Sequence, residues 1–303
     1  MADGFRKTLL RLLGRIPARS SLQPKVLERV ALTGCTREKV SYLVEAGQRV
    51  SAYLFVPAAE GRQPAVLCIH QHNREYHVGK SEPAGLSGNP EQFYALELAK
   101  RGYVTLAPDA LCFEERQHSS LRAQDYERFE ATQRLSEGSC LQAKMLWDLM
   151  RGLDYLLTRR EVDRRRIGCL GHSLGGQETL FLSAVDRRIA AGVSSCGFSS
   201  YRAVFDAAIL HNLALYVPGI LRYGDLDRVL GLVAPRPFLV LAGSGDPLFP
   251  LEGVQATMRE ARRAYGKARE RLRLEVFPVG HGFAAPMREA AYVWFDRWLK
   301  PAR

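Results

Sequence analysis

Short apolar runs recur along the chain and alternate with stretches in which apolar residues stand three or four positions apart. The short runs predict strands, most of them covered on both faces, at residues 65–69, 103–107, 189–195, 237–242 and 272–277. The helical spacing predicts helices at residues 89–102, 141–157, 174–185, 254–267 and 285–299. This alternation predicts an α/β fold, with a mostly parallel, doubly wound sheet that carries helices on both faces.

The N-terminal part of the chain follows a different pattern. Residues 1–17 interleave apolar and basic side chains at helical spacing, which predicts a basic helix that packs on the domain. Residues 39–43 and 49–56 alternate in polarity and predict two strands joined by a short turn. We therefore expect an N-terminal helical extension over residues 1–38 and a single α/β domain over residues 39–303.

Two segments interrupt the alternation of strands and helices. Residues 111–138 are polar and charged, and residues 197–235 are rich in Tyr, Leu, Phe and Gly. We expect both to be insertions, the second of them a small cap, and we expect the way they close over the site to decide which substrate is accepted. Three side chains of the second insertion are candidates for either the pocket lining or the core: Phe198, His211 and Tyr216.

The stretch at residues 167–176 joins a predicted buried strand to a predicted helix through glycines. Its sequence is I-G-C-L-G-H-S-L-G-G, in which Gly171, Ser173 and Gly175 match the pattern G-x-S-x-G. In that pattern the serine occupies a strained turn that exposes its hydroxyl, and the glycines let the strand and the helix approach closely. Ser173 is therefore the candidate nucleophile, and a simple Gly-rich connection is the alternative.

A serine nucleophile at this position needs two partners. Its hydroxyl is scarcely ionised near neutral pH, so it needs a base, and the base needs an orienting acid. Asp246 follows the apolar run at residues 237–242, and His281 follows the run at residues 272–277. Since the carboxyl ends of parallel strands meet at one edge of a sheet, both side chains are expected near Ser173. Taken alone, Asp246 could equally form a turn, and His281 could equally be an ordinary loop residue. The order Ser173, Asp246, His281, with each residue just after an apolar run, favours a Ser-Asp-His triad.

Charge that develops on a carbonyl oxygen during acyl transfer must be met by fixed N–H donors. The residue after the nucleophile, Leu174, is expected to supply one backbone N–H. The loop H-Q-H-N after the strand at residues 65–69 is expected to supply the other. We favour the backbone N–H of His72, with Gln71 as the second choice.

Other polar residues near these motifs have simpler explanations. His70, His72 and His77 stand close together, but no set of thiolates or carboxylates with metal-ligand spacing accompanies them, so no metal site is expected. His172 is expected to support packing beneath the motif. Asp109, which follows a proline after a predicted strand, is expected to be a structural turn acid.

Composition and charge narrow the function classes. The 303 residues carry a formal net charge of +11, but the basic residues are scattered without a nucleic-acid-binding module, so no nucleic-acid partner is expected. No apolar stretch approaches the roughly 18 residues of a membrane span, so stable membrane insertion is not expected. The six cysteines lack C-x-x-C spacing and are expected to be small core residues. Without a continuous apolar signal segment, a cytoplasmic location is the default expectation, and a homo-oligomer is left open.

Four stretches together carry a family resemblance: L-G-H-S-L-G-G around Ser173, G-S-G-D-P-L-F-P around Asp246, V-G-H-G-F around His281, and E-L-A-K-R-G-Y-V-T-L-A-P-D between the predicted strands. Over residues 39–299 the chain resembles the α/β-hydrolase superfamily, and within it the bacterial esterases similar to dienelactone hydrolases and acetyl xylan esterases. The resemblance implies an α/β-hydrolase fold and ester hydrolysis by the three named residues without a cofactor. The chain departs from dienelactone hydrolases proper, which use a cysteine nucleophile, and its loop H-Q-H-N lacks the common His-Gly pair.

The resulting hypothesis is a serine carboxylesterase that acts on a small-molecule ester. Ser173 attacks the carbonyl carbon, His281 takes the hydroxyl proton and delivers it to the leaving alcohol, and Asp246 orients the imidazole. Water then resolves the acyl-enzyme. A sugar-ester deacetylase and an acyl-thioester hydrolase are alternatives among enzymes. A catalytically silent hydrolase fold that serves as a binding protein is the rival of another class, and the presence of all three triad candidates speaks against it.

Overall fold

One mixed β-sheet forms the centre of the structure, a computed structural model that describes residues 2–14 and 16–300. The sheet contains nine strands of the described chain: β1 (Lys25–Leu32), β2 (Cys35–Glu45), β3 (Gln48–Pro57), β4 (Gln63–Ile69), β5 (Val104–Pro108), β6 (Val162–His172), β7 (Ala191–Ser195), β8 (Phe238–Gly243) and β9 (Leu272–Phe277).

The strand order places a ligand crevice at one edge of the sheet. Across the sheet the order is β1-β2-β3-β5-β4-β6-β7-β8-β9. The pairs β1/β2, β2/β3 and β3/β5 are antiparallel, whereas β5, β4 and β6 to β9 run parallel. From β4 the chain goes to β5 on one side and later enters β6 on the other. In such sheets the crevice lies outside the carboxyl ends of the strands at which the order reverses, here β4 and β6.

Helices accompany the strands in the described residues. They are α1 (Ala2–Leu13), α2 (Tyr94–Lys100), α3 (Ala123–Ser136), α4 (Leu141–Leu156), α5 (Leu174–Val185), α6 (Tyr201–Asp206), α7 (Leu226–Gly231), α8 (Leu251–Tyr265) and α9 (Ala285–Leu299).

The side chains of β4 show that both faces of the sheet are covered. Ala65, Leu67 and Ile69 join one buried apolar cluster, which also contains residues of α1, α4, α5 and α8. Val66 and Cys68 join a second cluster, together with residues of α2 and α9. Because successive side chains of a strand point to opposite faces, helices pack on both sides of the sheet. The predicted α/β fold with a mostly parallel sheet is confirmed.

The N-terminal segment differs from the helical extension expected over residues 1–38. Within the described residues of this segment only Ala2–Leu13 is α-helical; Lys25–Leu32 is the edge strand β1, and β2 begins at Cys35. Every residue of β1 is exposed or half-buried, so the strand lacks the alternation that marks a strand with one covered face. Its pairing with β2 therefore leaves no hydrophobic signal in the sequence.

Both expected insertions contain helices. Residues 111–138 hold a 3-10 turn at Glu114–Arg116 and α3, and residues 197–235 hold α6, α7 and two further 3-10 turns. All six cysteines are buried and free of disulfide bonds. Within the described part of the chain, no helix combines the length and the apolar character that crossing a membrane requires.

Candidate active site

Ser173 occupies a strained turn between a strand and a helix. Strand β6 ends at His172, α5 begins at Leu174, and Ser173 between them has φ 55° and ψ −120°. A non-glycine residue in such a conformation costs roughly 1–3 kcal/mol and persists only where its surroundings hold it. The Ser173 N–H donates to the Ser195 carbonyl at 2.9 Å, and its own carbonyl accepts from the Gly176 N–H at 2.9 Å. The turn therefore fixes the serine at the mouth of the crevice.

Two glycines of the motif make this turn possible. A Cβ at Gly171 would lie 2.2 Å from the carbonyl group of Gly175, and a Cβ at Gly175 would lie 2.0 Å from the carbonyl oxygen of Ile69. Both distances are shorter than any allowed contact, so no side chain fits at either position. The glycines let α5 start directly against β4 and β6, as the motif predicted.

His281 connects Ser173 to Asp246 through hydrogen bonds. Its Nε2 lies 2.9 Å from the Ser173 Oγ, and its Nδ1 lies 2.9 Å from an Asp246 carboxylate oxygen. Ser173 follows β6, Asp246 follows β8 and His281 follows β9, so segments at the carboxyl edge of the sheet supply all three side chains. The structure brings together all three residues that the sequence singled out.

The surroundings of Asp246 favour its ionised form. Burial alone would raise the pKa of this carboxyl, but the hydrogen bond and charge of His281 outweigh it and hold the pKa below its ordinary value. The backbone N–H groups of Leu248 and Phe249 donate to its other oxygen at 2.9 and 3.3 Å. Asp246 is thus a fixed acceptor for the Nδ1–H of His281.

His172 lies directly behind His281 and stays uncharged. Its ring centroid is 4.9 Å from that of His281, and its other neighbour is the stacked ring of Phe283. Burial lowers the pKa of His172 to about 3, with the nearby His281 as a further cause. Its Nδ1 contacts the Ser195 hydroxyl at 3.1 Å. His172 therefore packs against the back of His281 without adding a second positive charge, in agreement with the expected packing role.

The two candidate sources of oxyanion donors flank Ser173. Gln71 and His72 follow β4 and line the same cleft as Ser173. Leu174 is the first residue of α5, and the first N–H groups of a helix have no acceptor within the helix. The Gln71 side chain is directed away, since its amide donates to Glu82 at 3.0 Å.

The His72 ring is held by a backbone N–H of its own loop and by a carboxylate of α3. Its Nδ1 accepts the Arg74 backbone N–H at 3.1 Å, so in the neutral ring the proton sits on Nε2, which donates to Glu127 at 2.8 Å. Burial opposes the ionisation of Glu127, but the hydrogen bond from His72 outweighs burial and lowers the pKa of the carboxyl. The Tyr76 hydroxyl donates to the same carboxylate. Helix α3 of the first insertion thus holds the loop after β4 in place through hydrogen bonds to Glu127.

A family model for the dienelactone hydrolase family matches residues 50–296, which is most of the chain. The chain belongs to the dienelactone hydrolase family. As a member of this family it is a hydrolase of the carboxylesterase type. The predicted family resemblance is confirmed.

Individual relatives agree with this membership. The Bacillus subtilis (strain 168) protein named "Putative hydrolase YtaP" is 30% identical over 97% of this chain and 98% of its own length. Among solved structures, a "putative acetyl xylan esterase" from Bacteroides fragilis NCTC 9343 has a TM-score of 0.76 at 19% identity, covering 91% of this chain and 74% of its own. A glucuronoyl esterase from Solibacter usitatus has a TM-score of 0.70 at 16% identity, covering 96% and 91%. These two structures share the fold.

In this dienelactone hydrolase family member, both insertions line a cleft of about 510 Å³ in front of Ser173. Helix α3 contributes Gln124, Glu127 and Arg128, none of which the sequence had singled out. Their position could not be predicted, because Glu127 lies 55 residues from its partner His72. The second insertion contributes the segment 210–213, which includes His211, whereas Phe198 is buried in the core and Tyr216 packs against it.

Among the described residues, two groups of side chains have the spacing of metal ligands, and each has internal partners. Asp109, Glu114 and Glu115 surround the ammonium of Lys80, which occupies the centre of the group as a cation would. Cys196, Asp246 and His281 form the other group, in which the carboxylate and the imidazole already bond to each other. Asp109, expected to be a structural acid, is thus the buried partner of a lysine.

Proposed function

We propose that this carboxylesterase works through an acyl-enzyme on Ser173, with His281 and Asp246 completing a catalytic triad. The observation that carries the proposal is the pair of 2.9 Å contacts that join the Ser173 hydroxyl to His281 and His281 to Asp246. His281 takes the hydroxyl proton as Ser173 attacks the ester carbonyl, and then gives it to the leaving alcohol. Asp246 accepts the Nδ1–H throughout and stabilises the imidazolium that forms between the two transfers.

The oxyanion of the tetrahedral intermediate is proposed to bind two backbone N–H groups. One belongs to Leu174, at the free first turn of α5. The other belongs to His72, which lines the cleft beside Ser173. Donors fixed in this way contribute most when the charge develops, because they need no rearrangement during the reaction.

A sugar-ester deacetylase is the second candidate. Apart from Leu210, Leu213 and Leu248, the residues that line the cleft carry polar groups or rings. Such groups can bond the hydroxyls of a sugar. The acetyl xylan esterase and glucuronoyl esterase structures that share the fold are named for carbohydrate esters, which supports the same candidate.

We also propose the cytoplasm as the working compartment and no nucleic-acid partner. The six cysteines, all buried and free, support a reducing compartment. The basic residues are scattered and no nucleic-acid-binding module accompanies them, which supports the proposal that nucleic acid is not a partner.

Hydrolysis of p-nitrophenyl acetate by a Ser173→Ala variant tests the proposed nucleophile. We expect turnover to disappear while the melting temperature stays close to that of the wild type, because Ala removes one partly exposed hydroxyl. Full activity in the folded variant would contradict the proposal. A panel that compares acetylated sugars, p-nitrophenyl esters of increasing acyl length and acyl-CoA thioesters then separates the candidates. Preference for long acyl chains or thioesters would reject the sugar-ester candidate.

A further inference from the structure

His70 is a buried histidine that the proposed reaction does not use. It follows β4, next to Gln71, and its side chain is almost fully excluded from solvent. Its ring packs edge-on against Phe113, with 4.7 Å between the centroids. His70 does not line the cleft, so it has no direct path to a substrate.

The hydrogen bonds of His70 define its tautomer. The Ala110 backbone N–H donates to Nε2 at 3.0 Å, and a backbone N–H can only donate. Burial lowers the pKa of His70 to about 4, so the ring is neutral near neutral pH and its proton lies on Nδ1. The Nδ1–H therefore donates to the carbonyl oxygen of Gln71 at 2.7 Å. Both partners of the ring are backbone groups that do not exchange protons.

The Gln71 carbonyl and the His72 N–H belong to the same peptide unit. Among the described residues, the cis peptide bond is Ala234–Pro235, so the bond between Gln71 and His72 is trans. In a planar trans unit the C=O and the N–H point in opposite directions. A carbonyl held by the buried ring of His70 therefore turns the His72 N–H away from that ring.

We propose that His70 is a positioning residue: by holding the Gln71 carbonyl, it directs the His72 backbone N–H toward the ester oxygen at Ser173. The inference rests on the proposed function, and it selects His72 over Gln71 as the second oxyanion donor. The peptide is also anchored from its far side, because the His72 ring bonds the Arg74 N–H and Glu127. A donor held from both sides is preorganised for the charge that forms.

The segment that holds His70 is itself rigid. Ala110 follows Asp109, whose N–H donates to the Ser51 carbonyl at 3.0 Å and whose carbonyl accepts from Arg116 at 2.9 Å. One Asp109 carboxylate oxygen accepts the Lys80 N–H at 2.8 Å, and the other accepts the Lys80 ammonium at 2.7 Å. These contacts fix the Ala110 N–H that orients the His70 ring.

Two substitutions of His70 separate its two hydrogen bonds. In His70→Asn the amide nitrogen can replace Nδ1 and still donate to the Gln71 carbonyl, whereas in His70→Gln the amide oxygen can replace Nε2 and accept from Ala110. We expect His70→Asn to keep kcat for p-nitrophenyl acetate within about threefold of the wild type, and His70→Gln to lower kcat by about 10- to 100-fold. KM stays near the wild-type value in both, since the proposed role concerns the transition state. Equal kcat values for two folded variants, or a loss confined to His70→Asn, would overturn the inference.

A measurement on the wild-type protein covers the case in which either variant fails to fold. Long-range ¹H–¹⁵N NMR correlations of the histidine rings distinguish protonated from unprotonated ring nitrogens. We expect His70 near neutral pH to be neutral with its proton on Nδ1; a proton on Nε2 or a charged ring would overturn the inference. Failure of the proposed function has a different signature, since Ser173→Ala would then keep its esterase activity whatever the His70 variants do.

Discussion

Two histidines that follow strands of the sheet, His281 after β9 and His70 after β4, use the same ring for different purposes. The nitrogens of His281 contact a hydroxyl and a carboxylate, which can give up or attract a proton. The nitrogens of His70 contact a backbone N–H and a backbone carbonyl, which cannot. The first arrangement can transfer a proton during a reaction, and the second can only hold a peptide in place. The partners of a histidine thus distinguish proton transfer from positioning.

The triad and the residues that support the loop near His70 also differ in burial. The His281 side chain is 18% exposed at the cleft, whereas Lys80 and Asp109, which support the loop near His70, are 0% exposed. Breaking a fully buried ion pair leaves an uncompensated charge in the core, while removing the partly exposed His281 ring does not. We therefore expect removal of His281 to lower the rate at little cost in stability, and removal of Lys80 or Asp109 to lower stability.

His281→Ala gives the largest expected effect on rate. Without the base, the Ser173 hydroxyl keeps its proton, and we expect kcat for p-nitrophenyl acetate to fall by about 10⁶-fold. Thermal melting should change little because the side chain is partly exposed. The control is His118→Ala, which removes an exposed histidine outside the cleft lining and should keep wild-type kcat. A loss below about tenfold in folded His281→Ala would refute its role as the base.

Asp246→Asn should lower kcat by about 10⁴-fold. The amide nitrogen of Asn donates to Nδ1, so the proton of the neutral His281 ring moves to Nε2. A protonated Nε2 can no longer accept the Ser173 hydroxyl proton. Steady-state kinetics with p-nitrophenyl acetate measure the loss. An Asp246→Asn enzyme with wild-type kcat would show that the acid does not set the tautomer of His281.

The stability that Asp246 contributes should depend on pH with a defined sign. Its pKa is lowered in the folded state, so the contribution is fully present above the unfolded value of about 3.9 and is lost as the pH falls through the lower folded value. We expect the difference in melting temperature between the wild type and Asp246→Asn to shift against the wild type as the pH falls below about 4. The exposed Asp206, changed to Asn, is the matched control. A difference that grows in favour of the wild type in acid would contradict the lowered pKa.

Lys80→Met tests the residues that support the loop near His70. The ammonium of Lys80 bonds Asp109, Glu114 and Glu115, and although burial disfavours its charge, these carboxylates raise its pKa above the ordinary value. Without it, buried carboxylates lose their counter-charge, and we expect the free energy of unfolding to fall by about 3–5 kcal/mol. Urea unfolding measures the change, with Lys100→Met at an exposed position as the control. Unchanged stability would contradict the expected difference in stability between the loss of Lys80 and the loss of His281.

Sequence reasoning reached the triad residues because each of them stands within a few positions of an apolar run that marks the end of a strand. Local pattern is enough for such residues. Local pattern does not predict the contact of Glu127 with His72, or that of Lys80 with Asp109 across 29 residues, because tertiary packing alone brings these pairs together. The edge strand β1 was missed for a related reason, since a strand that covers no core carries no hydrophobic alternation.

Ser173 should react as the nucleophile of the native protein. Treatment with a fluorophosphonate, followed by mass spectrometry of the peptides, locates the residue that carries the adduct. We expect one adduct per chain, on the Ser173 hydroxyl, and none on the folded Ser173→Ala variant. A folded wild-type protein that remains unmodified, or one that carries its adduct on another residue, would show that Ser173 is not the nucleophile.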